Sequence, residues 1–360
     1  MKDSISSPVR RVDAYEKAGG YVRYIADIPF DHLLYGMLVR TSVQRGNITG
    51  IDLPDLPEGY RFISEGDIPA GGVNQINMIT SDWPVFTNGE VRFWGQTVGI
   101  LVGPDRQKLH ELSREISISY EETEPSETIE EGLACKGGPI VGDNNLYVEH
   151  LLSKGDVDQA FRRAHRIIDD VIETGFQEHV YMEPQGITAD YQKGTLTIHA
   201  SCQCPFYIRK AVAPSVALQP EDIIVRQVTT GGAFGGKEHF PDIIASALAV
   251  AAVAVGQPIQ VIFERKEDIS FTPKRHPSQI LFRTALDEEN RIIGMDVDVR
   301  INAGAYQSCS AVVLQRTMFS VNSVYDLPNV RIRGRAVATN TVPSDAFRGF
   351  GAPQGIFAAE

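Results

Sequence analysis

One loop in this sequence has residue types that could bind an anionic ligand. Residues 231–238 (GGAFGGKE) match the phosphate-binding pattern G-x-x-x-x-G-K-[ST] as far as Lys237 and depart from it at Glu238. A nucleotide-hydrolysing enzyme needs a hydroxyl there to hold magnesium, and a carboxylate would repel a triphosphate. The loop therefore favours another oxyanion over a nucleoside triphosphate. A tight turn that binds nothing is compatible with the same residues.

The residues on either side predict a strand before this loop and a helix after it. Residues 222–230 (DIIVRQVTT) are rich in β-branched side chains, whereas residues 242–255 (DIIASALAVAAVAV) are rich in alanine, and Pro241 suits a first helical turn. A glycine-rich turn that enters a helix leaves backbone N–H groups without helical partners. Such groups can bind a phosphate or another oxyanion.

Elements of both kinds predict an α+β fold with two domains. After a lead at residues 1–18, a small α+β domain is predicted over residues 19–126, a linker over 127–145, and a larger mixed α+β domain over 146–360. The predicted strands and helices include strands at 22–28, 34–42, 98–103, 116–122, 167–176 and 195–200, helices at 104–115 and 156–167, and a hairpin within 281–304.

Composition restricts the class of protein. The 360 residues are 42% hydrophobic and 22% charged, and 34 basic against 46 acidic residues give a net charge of −12. This balance argues against a nucleic-acid surface or an anionic membrane surface. The first residues lack an apolar signal core, and the most apolar run, residues 243–255, is too short for a bilayer span. We expect a soluble, cytoplasmic protein that contacts neither nucleic acid nor membrane.

The cysteines and histidines do not form a recognisable metal motif. Cys202 and Cys204 make a C-x-C pair, but Cys135 and Cys309 lie far from them in the sequence. Structural zinc and iron–sulfur sites use four ligands at characteristic spacings, so we interpret the pair as buried, inert thiols in preference to a metal site. The eight histidines show no H-E-x-x-H pattern.

Two long motifs together indicate a family. Residues 232–238 (GAFGGKE) and 346–354 (AFRGFGAPQ) resemble the molybdenum-binding subunit of the xanthine dehydrogenase and aldehyde oxidase family. Further landmarks follow the order of that family: MEPQG at 182–186, Gln203, KRHP at 274–277 and NAGAY at 302–306. The resemblance covers nearly the whole chain. It implies a hammerhead-type domain at 19–126 and the first part of a molybdopterin-binding domain at 146–360.

The resemblance also implies an activity and its cofactors. The family hydroxylates a carbon beside a ring nitrogen, takes the oxygen from water, and passes two electrons through iron–sulfur clusters to flavin. The implied cofactor is a molybdenum–molybdopterin, in the cytosine dinucleotide form. Two-iron two-sulfur clusters and FAD are expected on partner domains or subunits, in an oligomer.

The family's cofactor contacts can be placed on particular residues of this sequence. The backbone at Gly232, Phe234 and Gly235 is expected to hydrogen-bond the molybdenum–pterin unit, with Gln203 reaching the same oxo group. Arg348 is expected to face the cofactor. Glycines suit this role because a backbone without Cβ can approach a ligand closely. No side chain of this chain is expected to ligate molybdenum directly, since the metal is held through the pterin.

Three residues are expected to contact the substrate. Glu238 and Arg316 correspond to an acid and a base that surround a purine in the family. The glutamate accepts or donates a proton at a ring nitrogen, and the arginine stabilises negative charge that develops on a ring oxygen. Phe350 is expected to stack on a flat substrate. Taken without the resemblance, Glu238 could be a carboxylate that complements a helix N-terminus, and Arg316 an ordinary salt-bridged arginine.

The family pattern continues beyond the end of this sequence. Glu360 lies ten residues after Phe350, inside a predicted helix that starts near Pro353, and the family's catalytic glutamate base has no counterpart. We expect either a truncated chain, the interpretation we favour, or a natural split with a separate C-terminal half. In both cases we expect this polypeptide alone to be inactive.

Two classes of function remain open from the sequence. The first is a purine-type molybdenum hydroxylase that acts on xanthine, hypoxanthine or a related N-heterocycle, with a hydroxylase of a different aldehyde or N-heterocycle as an alternative. Nicotinate is less favoured because Glu238 would face the substrate's own carboxylate. The second is a scaffold or assembly homologue without catalysis. The joint presence of the predicted site residues favours the hydroxylase.

Overall fold

The computed structural model describes residues 8–87 and 89–360 as a mixed fold of helices and sheets. The strands are β1 (Leu34–Arg40), β2 (Gly46–Asp52), β3 (Arg61–Ile63), β4 (Glu90–Val91), β5 (Thr97–Gly103), β6 (Ser117–Glu122), β7 (Leu146–Lys154), β8 (Arg166–Thr174), β9 (Gly186–Gln192), β10 (Thr195–Ala200), β11 (Ile223–Gln227), β12 (Ile259–Ile262), β13 (Ser278–Leu286), β14 (Ile292–Gly304) and β15 (Val330–Ala338). The helices are α1 (Ala14–Ala18), α2 (Arg106–Glu115), α3 (Ile129–Leu133), α4 (Val157–Arg163), α5 (Pro205–Val216), α6 (Phe240–Val255), α7 (Arg265–Phe271), α8 (Ser310–Ser320) and α9 (Ala352–Ala359).

A seven-stranded sheet joins distant parts of the chain. Its strand order is β11-β10-β9-β12-β1-β5-β3, and β1 runs parallel to β12 with Leu34 opposite Ile259. Side chains on a strand alternate between the two faces. Leu38 of β1 accordingly joins the main core that contains α6, whereas its neighbour Val39 packs with Leu109 of α2. The sheet therefore has helices on both faces.

Helix α6 is the centre of this core. All its residues from Phe240 to Ala252 are buried, which is the pattern of a helix hydrophobic on every side. Its many alanines allow α5 and the sheet to approach closely. The helix ends where Gly256 takes a left-handed conformation with φ of 71°. This rigid helix starts directly after the glycine loop and so fixes one end of that loop.

A second sheet has five strands. Its order is β7-β15-β14-β13-β8, with β14 and β15 parallel and the other neighbours antiparallel. Helices α8 and α9 pack with it through a separate core that includes Val299, Leu314 and Ala358. A small sheet of order β4-β2-β6 completes the first part of the chain.

Most of the local predictions are confirmed, including α2, β10 and the β13–β14 hairpin. The prediction of a strand at residues 22–28 is wrong, because that stretch contains a 3₁₀ turn at Ile25–Asp27. The carboxylate of Asp27 accepts a hydrogen bond from the backbone N–H of Tyr24 at 3.0 Å, and the Asp27 N–H donates to the Tyr24 carbonyl at 3.0 Å. This reciprocal pair closes a turn that competes with an extended strand.

Two other stretches differ from expectation. The helix predicted at 156–167 ends at Arg163, because the His165 N–H donates to the Leu286 carbonyl at 2.9 Å and the chain enters β8. The predicted linker contains α3, which begins at a capping Thr128 whose hydroxyl accepts from the Glu131 N–H. Among the described residues, no helix has both the length and the apolar character that a membrane span requires.

Candidate functional site

The glycine loop lies between β11 and α6 and is fastened at both ends by one carboxylate. Glu183 Oε2 accepts hydrogen bonds from the Gly231 N–H at 2.7 Å, the Ser201 hydroxyl at 2.6 Å and the Lys237 ammonium at 3.0 Å. Lys237 also donates to Ser201 Oγ at 2.9 Å and lies 4.8 Å from the centre of the Tyr181 ring. The Lys237 ammonium group therefore contacts other side chains of the protein.

This arrangement excludes phosphate binding of the P-loop type, in which Lys237 would contact the ligand. The Lys237 side chain is completely buried, and burial lowers its pKa despite the nearby Glu183. A phosphate-binding lysine must reach the phosphates of its ligand. No local sequence pattern signals that Glu183 anchors the loop.

Gln203 braces the middle of the loop. Its Oε1 accepts a hydrogen bond from the Gly235 N–H at 2.9 Å, and its own N–H donates to the Lys237 carbonyl at 2.8 Å. The residue is exposed, and its side-chain nitrogen donates to no other residue in the described part of the chain. That nitrogen is therefore available to a ligand.

The second motif packs directly on the first. The Arg348 N–H donates to the Phe234 carbonyl at 2.9 Å, so the two loops are joined by a main-chain hydrogen bond. Phe234 and Phe350 both have a left-handed backbone, with φ of 55° and 51°. Non-glycine residues in this region are uncommon and cluster at ligand sites. The predicted cofactor residues Gln203, Phe234, Gly235 and Arg348, with the adjacent Gly232, are thus brought together.

Gly235 is the point of closest approach between the two loops. Its φ is 105°, and a Cβ added there would lie 2.5 Å from the Ala346 carbonyl oxygen. We expect Gly235→Ala to lower the free energy of unfolding by about 2–3 kcal/mol, because it adds backbone strain and pushes the loops apart. Urea denaturation measures this change.

Gly194→Ala provides the matched control for that variant. Gly194 has a φ of 88°, but a Cβ added there would meet nothing within 4 Å. It should therefore show the backbone cost without the steric contact. Equal losses in the two variants would contradict the close approach at Gly235.

A stack of three side chains holds the second loop in place. The Phe347 ring lies between the guanidinium of Arg275, 3.9 Å from its centre, and the ring of His179, with a centroid distance of 4.3 Å. Arg275 donates to the Arg348 carbonyl at 2.9 Å, and His179 Nε2 lies 2.8 Å from the Ala346 carbonyl oxygen. Burial lowers the pKa of His179. No sequence pattern distinguishes His179 from the other histidines.

The three predicted substrate residues lie on different elements. Glu238 is half-buried at the end of the glycine loop, and burial raises its pKa although His239 opposes the rise. Phe350 is half-buried and packs against the core beneath α8 and α9. Arg316 is exposed on α8. Within the described ranges, no hydrogen bond or ion pair joins Arg316 to Glu238.

The thiol pair lies beneath this region. Cys202 is buried and Cys204 half-buried, and burial raises their pKa values to about 12 and about 11. Both are therefore protonated at neutral pH, and a protonated thiol is a poor nucleophile and metal ligand. In the part of the chain that the structure describes, no group of three or more acidic, histidine or cysteine side chains could hold a metal ion.

The donor set of the two loops suits a ligand that presents oxygen acceptors. The backbone N–H groups of Gly232, Ala233 and Phe234 donate to no other described residue, while the neighbouring N–H groups of Gly231 and Gly235 are engaged. Phe234 is 47% exposed, so this edge faces outward. With the Gln203 amide, these groups form a rigid, mainly neutral donor surface.

Comparisons with known families agree with this arrangement. Residues 140–360 match the family model described as "Molybdopterin cofactor-binding domain". Residues 19–124 match "Aldehyde oxidase and xanthine dehydrogenase, a/b hammerhead domain". Both parts of the chain are therefore recognised, in the order in which they occur in the fold.

Individual relatives cover almost all of this chain. It is 31% identical to the nicotinate dehydrogenase large molybdopterin subunit of Eubacterium barkeri over 96% of this chain and 81% of that protein. It is 30% identical to a xanthine dehydrogenase of Emericella nidulans over 97% of this chain but 26% of that protein. The chain thus spans about a quarter of the xanthine dehydrogenase and most of the smaller subunit.

A solved structure shows the same fold. The aldehyde oxidoreductase of Desulfovibrio gigas superposes with a TM-score of 0.87 at 26% sequence identity, covering 97% of this chain and 40% of that one.

Proposed function

We propose a specific activity for this chain, which belongs to the aldehyde oxidase and xanthine dehydrogenase family of molybdenum hydroxylases. The chain forms part of an enzyme that hydroxylates a purine or a related N-heterocycle. The observation that carries this proposal is the junction of the two loops, where free backbone N–H groups belong to the same glycine loop that ends at the half-buried Glu238. A half-buried carboxylate next to a neutral donor surface can recognise a heterocycle while the surface binds an oxygen-bearing cofactor.

The cofactor side of the site consists of backbone and amide donors. Gly232 and Phe234 supply backbone N–H groups, Gly235 positions them through the hydrogen bond from its own N–H to Gln203 Oε1, Gln203 supplies its side-chain N–H group, and Arg348 lies on the adjoining turn. When bound, the molybdenum–molybdopterin group supplies the two-electron oxidation and activates water. The role of the protein residues is to orient that group and to offer hydrogen bonds without rearrangement.

The substrate side of the site uses Glu238, Arg316 and Phe350. Glu238 accepts or donates a proton at a ring nitrogen, and Arg316 stabilises negative charge that develops on a ring oxygen. The exposure of Arg316 leaves its guanidinium available for a ligand. Phe350 presents an aromatic ring for stacking on a flat substrate.

A nicotinate-like substrate is the second candidate. It is supported by the relative from Eubacterium barkeri, whose name is nicotinate dehydrogenase. An arginine such as Arg316 could bind a substrate carboxylate through two hydrogen bonds. Glu238 opposes this assignment, because like charges at close range repel. We therefore retain the purine as the first substrate to test.

The rest of the enzyme is proposed from the family. We propose partners that carry two-iron two-sulfur clusters and FAD, a C-terminal molybdenum-binding half with the catalytic glutamate, a cytosine dinucleotide form of the pterin, and an oligomer in the cytoplasm. We also retain a division into a lead at 1–18, a hammerhead domain at 19–126, a linker at 127–145 and the larger domain at 146–360. The seven-stranded sheet contains strands from both larger parts.

Metal content gives the first test of this proposal. We expect residues 1–360, co-expressed with the C-terminal half and the iron–sulfur and flavin partners, to contain about one molybdenum per chain. The assembly should reduce a dye when xanthine or hypoxanthine is added. A well-folded assembly without molybdenum would favour a scaffold. The same proteins made in a host that lacks molybdopterin synthesis provide the control.

A further inference from the structure

A buried cluster of ionisable side chains begins at the residue that follows Glu238. His239 precedes the first residue of α6 and is 4% exposed, and Asp242, in the first turn, is completely buried. His239 Nδ1 lies 3.6 Å from Asp242 Oδ2. Among the described residues, neither this nitrogen nor either Asp242 oxygen has a closer hydrogen-bond partner. The buried Asp345 contributes a further carboxylate on the adjoining loop.

The surrounding carboxylates favour a protonated His239. Burial lowers the pKa of His239, but the charges of Asp345, Asp242 and Glu238 outweigh it and raise the pKa to about 9. Burial raises the pKa of Asp242 to about 7, and His239 opposes that rise. The two groups are close enough to titrate as a coupled pair.

In the described part of the chain, the neighbouring lysine, tyrosine and cysteine side chains supply no free cation. Lys237 is paired with Glu183, as described above. The ring of Tyr207 stacks on His239 with a centroid distance of 5.0 Å, and its pKa is raised by Cys204 and by burial. Burial also raises the pKa values of Cys202, Cys204 and Cys309. At neutral pH these tyrosine and cysteine side chains are uncharged, so His239 is the positive charge that opposes protonation of Glu238.

We propose that His239 is a positioning residue whose imidazolium, stabilised by the Asp242 carboxylate 3.6 Å away, keeps the neighbouring Glu238 ionised. An ionised Glu238 accepts a hydrogen bond, so it selects a heterocycle that presents a ring N–H at that position. Asp242 acts through His239, because its carboxylate stabilises the imidazolium. The selection of substrate rests on the proposed function, whereas the state of the charge pair can be measured without it.

Nuclear magnetic resonance of the 360-residue chain tests the pair directly. In the chain labelled with ¹³C-histidine, His239 should titrate near pH 9, and Asp242→Asn should lower that value by about one pH unit or more. His199 on β10 is an internal control whose titration should be the same in both proteins. A wild-type His239 that titrates below pH 7 would overturn the proposal, even if the variant does not fold.

The effect on Glu238 needs a second measurement. With ¹³C-glutamate labelling, and with Glu238→Gln used to identify the signal, the Glu238 carboxyl should titrate about one pH unit higher in His239→Gln than in the wild-type chain. A folded variant with an unchanged Glu238 titration would contradict the proposal. If His239 had only a structural role, its replacement would not raise the pKa of the Glu238 carboxyl group.

The complete enzyme separates this proposal from the assignment of function. The acidic limb of the pH profile of kcat/KM should move upward in His239→Gln but not in Asp242→Asn, in which His239 is still protonated at acidic pH. A loss of activity at every pH without movement of that limb would count against the proposal. If the titrations agree with expectation while purines are not oxidised, the charge pair stands and the proposed substrate is wrong.

Discussion

Replacing Glu238 or Arg316 with alanine in the complete enzyme should impair purine turnover far more than aldehyde turnover. For a purine, we expect kcat/KM to fall about a hundredfold or more in each variant, because each removes a group that exchanges a proton with the ring or stabilises charge on it. An aldehyde offers neither feature, so its kcat/KM should fall by less than roughly tenfold. Steady-state kinetics with both substrates in the same preparations gives the comparison.

Controls for this experiment come from the same chain. Arg114 is an exposed arginine on α2, in the other part of the chain, and Arg114→Ala should leave both activities unchanged. Glu238→Gln retains the shape and one hydrogen-bond acceptor of the glutamate but cannot take up a proton. Equal losses on purine and aldehyde would show that Glu238 and Arg316 support the fold or the cofactor and do not select the substrate.

Elements that carry their own local signal could be predicted from the sequence. Helix α2 begins after Asp105, whose carboxylate accepts from the Lys108 N–H at 2.9 Å, and buries Leu109 and Leu112 on one face. The strand before the glycine loop and the helix after it were predicted for the same reason. In each case, capping, β-branching or periodicity within a few residues determines the element.

The assembly of those elements could not be predicted locally. The parallel pairing of β1 with β12 brings Leu34 beside Ile259. Neither strand has a sequence pattern that predicts which other strand it pairs with. A parallel pair needs a crossover connection, and here that connection is the whole of residues 41–258. The contact between the two motifs is similar, because the Arg348–Phe234 hydrogen bond exists only in the folded chain.

Some residues of the candidate site could be predicted from the sequence, and others could not. Family motifs placed Gln203, Phe234, Gly235 and Arg348, and the structure brings them together. The anchoring role of Glu183 was missed, because it depends on three donors from separate elements. The roles of Glu238 and Arg316 rest on the resemblance to the family. The structure adds only that the Glu238 side chain is half-buried and that the Arg316 side chain is exposed.

Loss of the buried ammonium at Lys237 should cost the fold more stability than the other substitutions considered. We expect Lys237→Met to lower the free energy of unfolding by about 3–5 kcal/mol, because it leaves the Glu183 carboxylate in the interior without its charge partner. The same change removes a donor to Ser201. Urea denaturation followed by circular dichroism measures the difference.

A second substitution should restore much of that loss. In the double variant Glu183→Gln with Lys237→Met, neither buried charge remains, while the glutamine oxygen can still accept from the Gly231 N–H and the Ser201 hydroxyl. Glu183→Gln alone should be strongly destabilising, since it leaves the buried ammonium unpaired. If the two single losses simply add in the double variant, the stability of the loop does not depend on the ion pair. Recovery would show that Lys237 neutralises an internal carboxylate, the role that distinguishes this loop from a phosphate-binding one.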